Sequence, residues 1–329
     1  MTLQSTTPAR LLPIHNHLLA ALLFTLLCGP ITTPCTSHVT SGNEPPITDL
    51  TFAPNGNSVV CCSQKGLHIL GWPNLNVINH LDVSLANLHC VTYSPDGNNL
   101  AIGGGYPSEE GIVQVFSWPD CKLQSHLAGH DDSVVALTWQ KGGHLTSASL
   151  DRVLRAWDLT TQKPVITFQG HSRAVKAVCT LSTGQLVTAG DDHSVRLWDT
   201  ESGSLIRTLN QHTKPINSIS ACPSRDSKPM IATAAGDRTI RFWQPTIGRM
   251  MRYIRLESEP LDICWLSETT IAASCVDGQV RVVDTQNVRL LKTMPVIQGW
   301  AYAIATHPRD GTIAVAGSNG KIRRVQIEN

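Results

Sequence analysis

Residues 130–159 read HDDSVVALTWQKGGHLTSASLDRVLRAWDL, and residues 171–200 read HSRAVKAVCTLSTGQLVTAGDDHSVRLWDT. The two stretches are copies of one pattern, because four landmarks recur about 40 residues later in the same order. The paired landmarks are His130 and His171, Asp151 and Asp192, Trp157 and Trp198, and Asp158 and Asp199. A chain of 329 residues could form two ordinary domains, but an internal repeat of this period favours one closed array.

A repeat of about 40 to 45 residues that opens with Gly-His and closes with Trp-Asp is typical of a β-propeller blade. The chain resembles the WD40 repeat family, which implies an all-β, seven-bladed propeller over residues 36–329. The predicted blades are residues 46–81, 82–129, 130–170, 171–210, 211–257, 258–296 and 297–329. The seventh copy stops before a fourth strand, and the resemblance implies that residues around Thr36–Ser41 supply that strand and close the ring.

Residues 1–35 differ in composition from the repeats. Arg10 is the only charged residue before Glu44, and Leu18–Leu27 is apolar apart from Thr25. This run is shorter than the roughly 20 residues that span a bilayer as a helix, and it matches the apolar region of a signal peptide. We therefore expect a targeting segment, export to the periplasm or the cell exterior, and no membrane span in the mature chain. An uncleaved membrane anchor and an intracellular protein with a misassigned start are the alternatives.

Charge balance and residue spacing disfavour several classes of function. The chain has 26 Lys and Arg against 25 Asp and Glu, so it lacks the basic excess typical of nucleic-acid binding. Its 13 histidines show no zinc-site spacing, and its ten cysteines form no Cys-x-x-Cys pair. Cys90, Cys179, Cys222 and Cys264 fall in predicted first strands and are interpreted as small buried apolar side chains. The sequence predicts no metal, no cofactor and no nucleic-acid partner.

Three predicted blades carry residues that the family uses as a hydrogen-bonded tetrad. The resemblance implies three sets: His130, Ser147, Asp151 and Trp157; His171, Thr188, Asp192 and Trp198; His212, Thr233, Asp237 and Trp243. Indole N–H only donates, hydroxyl and imidazole do both, and carboxylate accepts, so the four groups can form one chain of bonds. His, Ser and Asp also suggest a catalytic triad, but an active site occurs once and this set recurs. We therefore predict structural tetrads and no catalytic residues.

Arginine recurs two residues before the Trp position of the repeat. These residues are Arg155, Arg196, Arg241, Arg281 and Arg323. We expect each to cover a neighbouring blade with its apolar stem and to keep its charged head in water.

Residues that depart from the repeat on one face of the propeller are the candidates for partner binding. Trp300 replaces a small residue just before the first strand of blade seven, and aromatic and Arg residues dominate binding hot spots. The same register and the Tyr106–Glu110 insertion give the full candidate set: Trp300, Arg173, Lys214, Asp131, Asp132, Tyr106 and Glu257. The alternative for Trp300 is that it packs between blades.

These observations together predict a non-catalytic scaffold that binds another protein or peptide. The first rival is a propeller hydrolase or lactonase with a metal in its channel. Such a metal needs inward-pointing Glu, Asn, Asp or His side chains from several first strands. The residues at the centre of the predicted first strands look apolar instead, which disfavours this rival: Leu50, Val91, Ala136, Ala177, Ile219 and Ile263. The second rival is an intracellular WD40 scaffold.

Overall fold

The computed structural model describes residues 44–224 and 229–327. The regular structure in this part of the chain consists of 27 β-strands. Within the described ranges, no helix has the length and apolar character needed to cross a membrane. The predicted targeting segment, residues 1–35, and the predicted closing strand at Thr36–Ser41 lie outside the described residues.

The strands fall into seven antiparallel sheets, which we number as blades one to seven. Blades one to three contain β1 (Ile47–Phe52), β2 (Ser58–Ser63), β3 (Gly66–Gly71), β4 (Val77–Leu81), β5 (Cys90–Tyr93), β6 (Asn99–Tyr106), β7 (Glu110–Ser117), β8 (Leu123–His130), β9 (Val134–Trp139), β10 (Leu145–Ser149), β11 (Leu154–Asp158) and β12 (Lys163–Phe168). Blades four and five contain β13 (Val175–Thr180), β14 (Leu186–Gly190), β15 (Val195–Trp198), β16 (Leu205–Leu209), β17 (Ile216–Ala221), β18 (Ile231–Ala235), β19 (Thr239–Gln244) and β20 (Arg249–Arg255). Blades six and seven contain β21 (Pro260–Ser267), β22 (Thr270–Cys275), β23 (Gln279–Asp284), β24 (Arg289–Pro295), β25 (Ala301–Thr306), β26 (Ile313–Gly317) and β27 (Ile322–Val325).

The first strand of every blade is the innermost strand of a ring. These first strands contact one another in sequence, and β25 of blade seven contacts β1 of blade one. Blades one to six have four strands in chain order, and the described part of blade seven has three. Because strands alternate in direction, the loops before the first strands and the loops between second and third strands lie on the same side. We call this side the loop face, and it carries Asp131, Arg173, Lys214, Glu257 and Trp300.

The core lies between neighbouring blades. β10 (LTSAS) and β14 (LVTAG) are buried at every residue, because blades on both sides cover a middle strand. A short run of this kind, without alternation, is typical of a fully buried strand. Blades one and seven share one apolar cluster that includes Leu50, Val59 and Ala314, so apolar packing also joins the last blade to the first.

The predicted insertion in blade two lengthens a hairpin. β6 and β7 pair as far as Tyr106 and Glu110. A Cβ atom at Gly104 would lie 2.6 Å from the carbonyl oxygen of Asn87, and one at Gly111 would lie 2.1 Å from that of Asp132. The glycines therefore permit close backbone approach between this hairpin and its neighbours.

Two sequence assignments shift by a residue in the structure. β8 ends at His130, one residue beyond the predicted end of blade two. Cys222 follows β17, which ends at Ala221, so it is not in a first strand. The eight cysteines of the described ranges are free thiols.

Candidate functional site

Blade three contains a continuous chain of four hydrogen-bonded side chains. Ser147 Oγ lies 2.8 Å from the indole nitrogen of Trp157 and 2.7 Å from Nε2 of His130. Nδ1 of His130 lies 2.7 Å from Oδ2 of Asp151. Since indole can only donate and carboxylate can only accept, the bonds run from indole through hydroxyl and imidazole to carboxylate. The tetrad joins the end of β8 to blade three.

Blades four and five repeat this geometry with threonine in place of serine. The hydroxyl lies 2.7 Å from the imidazole in both blades. The imidazole lies 2.9 and 2.8 Å from the carboxylate, and the indole lies 2.8 and 2.9 Å from the hydroxyl. The residues are His171, Thr188, Asp192 and Trp198 in blade four, and His212, Thr233, Asp237 and Trp243 in blade five.

The tetrad carboxyl groups have lowered pKa values, so they are held ionised. Burial opposes ionisation of Asp192, but hydrogen bonds from His171 and Ser194 outweigh it and lower the pKa of the carboxyl well below its usual range. The pKa of Asp237 is lowered in the same way, against burial. Burial lowers the pKa of His212, although its bond to Asp237 opposes that change.

These groups are closed to solvent. The side chains of the three tetrad histidines are 0% exposed. Ser147, Thr188 and Thr233 are also 0% exposed. A nucleophilic hydroxyl must be reachable by substrate, so this arrangement serves to lock each blade and offers no surface for chemistry.

Blade six replaces the tetrad with a buried ion pair. Nη1 and Nη2 of Arg281 lie 3.0 and 2.7 Å from the two carboxylate oxygens of Asp277. The Arg281 side chain is only 2% exposed. The expectation that this arginine keeps its head in water is wrong, because both terminal guanidinium nitrogens bond to the Asp277 carboxylate and hold the head out of solvent. Arg196 and Arg241 also approach tetrad carboxylates, at 3.5 and 3.6 Å.

The first strands surround a central channel that holds a cavity of about 210 Å³. In six blades the first strand has a bulge near its start. The bulged residues all line the cavity: Thr48, Val135, Lys176, Asn217, Leu261 and Tyr302. A bulge adds one residue to a strand and re-aims its side chain, so this ring of residues defines the channel wall.

The expectation of an apolar channel is wrong. The wall also includes Asp49, His89 and Asp262, together with Asn217 and Lys176. The bulge is the reason, because it shifts the inward-facing position by one residue. The sequence comparison aligned Ala136 and Ala177 with Leu50. In the structure they are instead equivalent to Asp49, because each of the three is the first residue after the bulge that pairs with the second strand of its blade.

Two channel carboxylates fasten neighbouring blades. Asp49 Oδ2 accepts a hydrogen bond of 2.9 Å from the backbone N–H of Val91 in blade two. Asp262 Oδ2 accepts one of 3.0 Å from the N–H of Ile304 in blade seven, and the Ser218 hydroxyl donates to its Oδ1 over 2.7 Å. Each aspartate therefore joins the first strands of adjacent blades.

The channel carboxylates differ electrostatically from those of the tetrads. Burial, followed by repulsion from Asp262, raises the pKa of Asp49 to about 8. Burial also raises the pKa of Asp262 and lowers that of His89. Lys176 does not neutralise the channel carboxyl groups, since its ammonium pairs with Asp191 at 2.8 Å. In residues 44–224 and 229–327, no three His, Cys, Asp or Glu side chains converge as metal ligands would.

The structure brings two of the candidate partner-binding residues, Asp131 and Asp132, together beside the blade-two hairpin on the loop face. The hairpin that begins after Tyr106 meets Asp132, whose Oδ1 accepts a bond of 2.9 Å from the N–H of Ser108. Asp131 and Asp132 line a hollow with Ser108, Leu150, Asp151 and Arg152. Arg173, Lys214, Glu257 and Tyr106 are exposed.

Trp300 occupies the position that its register predicts, directly before β25. It is half-buried, and its ring meets Tyr302 edge-on at a centroid distance of 6.0 Å. Its backbone N–H donates to the hydroxyl of Ser318 over 2.9 Å. Trp300 thus links the loop face to a bulged residue of the channel wall.

Sequence reasoning missed the channel residues His89, Lys176, Asn217 and Tyr302. The repeat could have revealed them, because all four occupy the same position of the repeat, two residues before an apolar core residue. A uniform two-residue alternation cannot reveal this position, since the bulge interrupts it.

A closed ring of seven antiparallel sheets, locked by recurring buried tetrads, defines the class of protein as a seven-bladed β-propeller. The family model "WD domain, G-beta repeat" matches residues 33–69, 121–158, 162–199 and 203–244. This chain belongs to the WD40 repeat family.

Several curated proteins share the repeat. UBP9-binding protein bun62 of Schizosaccharomyces pombe is 30% identical over 125 residues, which are 36% of this chain and 22% of that protein. Periodic tryptophan protein 2 of Arabidopsis thaliana is 29% identical over 134 residues, 40% of this chain and 14% of that protein. WD repeat-containing protein 1 of Rattus norvegicus is 32% identical over 85 residues, 25% of this chain and 13% of that protein. The chain therefore spans less than a quarter of the length of these relatives.

Proposed function

We propose that this chain is a non-catalytic docking platform that binds another protein or peptide through its loop face. The observation that carries the proposal is that the repeated polar residues and the non-repeated ones lie in different places. The recurring His, Ser or Thr, and Asp side chains are buried in tetrads, whereas the residues that break the repeat are exposed or half-buried on one face. Residues that the fold does not need, gathered on one surface, are the ones free to recognise a partner.

The loop face has the composition of a binding surface. It presents an aromatic side chain, Trp300, at the channel mouth and exposed cations, Arg173 and Lys214, beyond it. Asp131 and Glu257 supply negative charge on the same side. Aromatic residues and Arg contribute most to hot spots, while charges of both signs set partner choice. The printed name of the fission yeast relative describes a binding protein, which is compatible with this proposal.

Affinity capture from the organism that produces the protein tests this role. The tagged chain is compared with Trp300→Ala and Arg173→Ala, and with Val165→Ala on an exposed outer strand as the matched control. We expect the two loop-face variants to lose the same captured proteins, quantified by mass spectrometry, while the control retains them. Equal capture by all four proteins would exclude the loop face.

A hydrolase or lactonase with a channel metal is the second candidate: Asp49, His89 and Asp262 line the cavity, although within the described ranges no three such side chains converge as metal ligands would. Elemental analysis of the purified protein tests it. One equivalent of tightly bound Ca²⁺ or Zn²⁺ that Asp262→Asn removes would favour the enzyme over the platform.

We also propose that the protein is exported, on the basis of the apolar run Leu18–Leu27. Mass spectrometry of the N-terminal peptide from each cell fraction tests this proposal. A cleaved N-terminus outside the cytoplasm is expected. An intact N-terminus in the soluble cytoplasmic fraction would favour the intracellular scaffold, and one in the membrane fraction would favour the uncleaved anchor.

A further inference from the structure

The outer strands of the blades differ sharply in charge around the ring. The outer strands of blades one to three, β4, β8 and β12, contain a single charged residue, Lys163. Those of blades five and six, β20 (RMMRYIR) and β24 (RLLKTMP), contain five cations and no carboxylate. A chain with a net charge of +1 therefore concentrates positive charge on one sector of its rim.

Three of these cations are exposed and a fourth is half-buried. Arg249, Arg255 and Arg289 are exposed and Lys292 is half-buried. The fifth, Arg252, is held between the blades, where its Nη1 donates to the carbonyl oxygen of Gln286 over 2.9 Å. We call Arg249, Arg255, Arg289 and Lys292 the basic rim.

Exposed apolar side chains lie between the cations. On β20, Met251 is 36% exposed and Tyr253 is 52% exposed. On β24, Leu290 and Leu291 are 42% and 47% exposed. The guanidinium carbon of Arg241 lies 5.4 Å from the centre of the Tyr253 ring, which holds that ring in place before any partner arrives.

The backbone of this sector is also open to pairing. β20 is the last strand of its sheet, and within the described ranges no strand pairs with its outer edge. An edge of this kind accepts an added strand, in which backbone bonds give affinity and side chains give specificity. The seven residues from Arg249 to Arg255 extend over roughly 20 Å in a strand.

We propose that the basic rim is a second docking surface, which takes an extended acidic protein segment with apolar residues between its carboxylates. The apolar part covers Met251 and Tyr253, and the flanking carboxylates pair with Arg249 and Arg255. The segment adds to the outer edge of β20. This surface lies on the side of the ring and uses none of the loop-face residues, so the chain can hold two partners at once.

A synthetic probe tests the chemistry directly. The probe is the fluorescein-labelled peptide Glu-Glu-Leu-Tyr-Val-Tyr-Leu-Glu-Glu, and the comparison peptides carry Gln or Lys in place of every Glu. Fluorescence anisotropy with the full chain should give saturable binding of the Glu peptide, weakened at least about tenfold in the Gln peptide. Hydrogen exchange should show added protection of the amides of β20 in the complex.

Charge reversal with a matched control locates the site. Arg249→Glu with Arg255→Glu should weaken the Glu peptide at least about tenfold. Lys122→Glu with Lys163→Glu makes the same charge change beside other outer strands and should leave the affinity within about twofold. Trp300→Ala should have no effect, which separates this surface from the loop face.

Three results would overturn the proposal. The Gln peptide could bind as tightly as the Glu peptide, or the control pair could lose as much affinity as the rim pair. A single-stranded RNA oligonucleotide that binds the rim more tightly than the peptide would show that the surface serves nucleic acid instead.

Discussion

Nε2 of His307 donates a hydrogen bond of 3.0 Å to the carbonyl oxygen of Gly56, a residue 251 positions earlier in the chain. The bond joins the turn after β25 to the turn after β1, so it links the seventh blade to the first. Phe52 and Trp72 of blade one pack against the same imidazole, with ring centroids 5.2 and 5.9 Å away. Gly56 must be glycine here, because a Cβ atom would lie 2.5 Å from Nε2 of His307.

His307→Ala should destabilise the ring at this junction. The change leaves a carbonyl oxygen without its buried donor, at a cost of about 1 to 3 kcal/mol, and removes the ring contacts as well. The free energy of unfolding in urea measures the effect. His144→Ala, at an exposed loop position, is the control, and an equal loss in both variants would mean that the His307 bond contributes nothing.

Thr188→Val should cost more than an ordinary surface change, even though the two side chains have the same shape. It leaves the indole N–H of Trp198 and Nε2 of His171 without their shared partner in a site closed to water. We expect the free energy of unfolding in urea to fall by about 2 to 6 kcal/mol, from roughly 1 to 3 for each of the two unsatisfied groups. Ser147→Ala should cause a similar loss in blade three. The control is Thr293→Val on an exposed strand, which should change the free energy of unfolding by no more than about 0.5 kcal/mol. A loss confined to one blade would contradict an equivalent role for the tetrads.

Removing one partner of the ion pair in blade six should lower the free energy of unfolding more than removing both partners. Asp277→Asn leaves the guanidinium of Arg281 without its counter-charge, and because the Asp277 side chain is 32% exposed the cost should lie below the about 3 to 5 kcal/mol of a fully buried pair. The double variant Asp277→Asn with Arg281→Met should recover part of this loss. A double-mutant cycle in urea measures the coupling, and additive losses would show that the two groups act independently.

Asp49 should make the protein less stable as the pH rises. Its pKa is raised from an ordinary 3.8 to about 8 in the folded chain. Between these values the folded state holds a proton that the unfolded state has released, so the free energy of unfolding falls as the pH increases toward about 8. One such group gives a slope of at most about 1.4 kcal/mol per pH unit.

Asp49→Asn should flatten that dependence, because the amide does not titrate and its oxygen can still accept from a backbone N–H. Urea unfolding between about pH 5 and about pH 8 measures the slope. Asp82→Asn is the control, since that carboxyl is 93% exposed. An unchanged slope in Asp49→Asn would assign the pH dependence to other groups.

The proposed closing strand predicts a large effect of a short deletion. The family model's second, third and fourth matches begin one or two residues before the outer strands β8, β12 and β16. Its first match begins at residue 33, which is compatible with the expectation of a strand near Thr36–Ser41. Deleting residues 1–45 should therefore lower the thermal midpoint markedly, whereas deleting residues 1–32 should not. Equal midpoints for both deletions would refute closure by this segment.

The sequence alone determined the features that repeat locally. The period, the turns and the alternation of apolar residues define the strands. The recurrence of His, Ser or Thr, Asp and Trp at one register located the tetrads, and the same register located Trp300. Each of these depends on residues within a single repeat, where turn chemistry and hydrophobic patterning act over short distances.

Only the tertiary structure decided the contacts between blades. The bulges that turn Lys176 and Tyr302 into the channel, and the bond from Val91 to Asp49, depend on how adjacent first strands pack. Arg281 is buried with its guanidinium on the Asp277 carboxylate, and His307 meets Gly56 because the ring closes. Burial and electrostatics depend on which surfaces meet, so they follow from the assembled ring and not from the pattern of any one repeat.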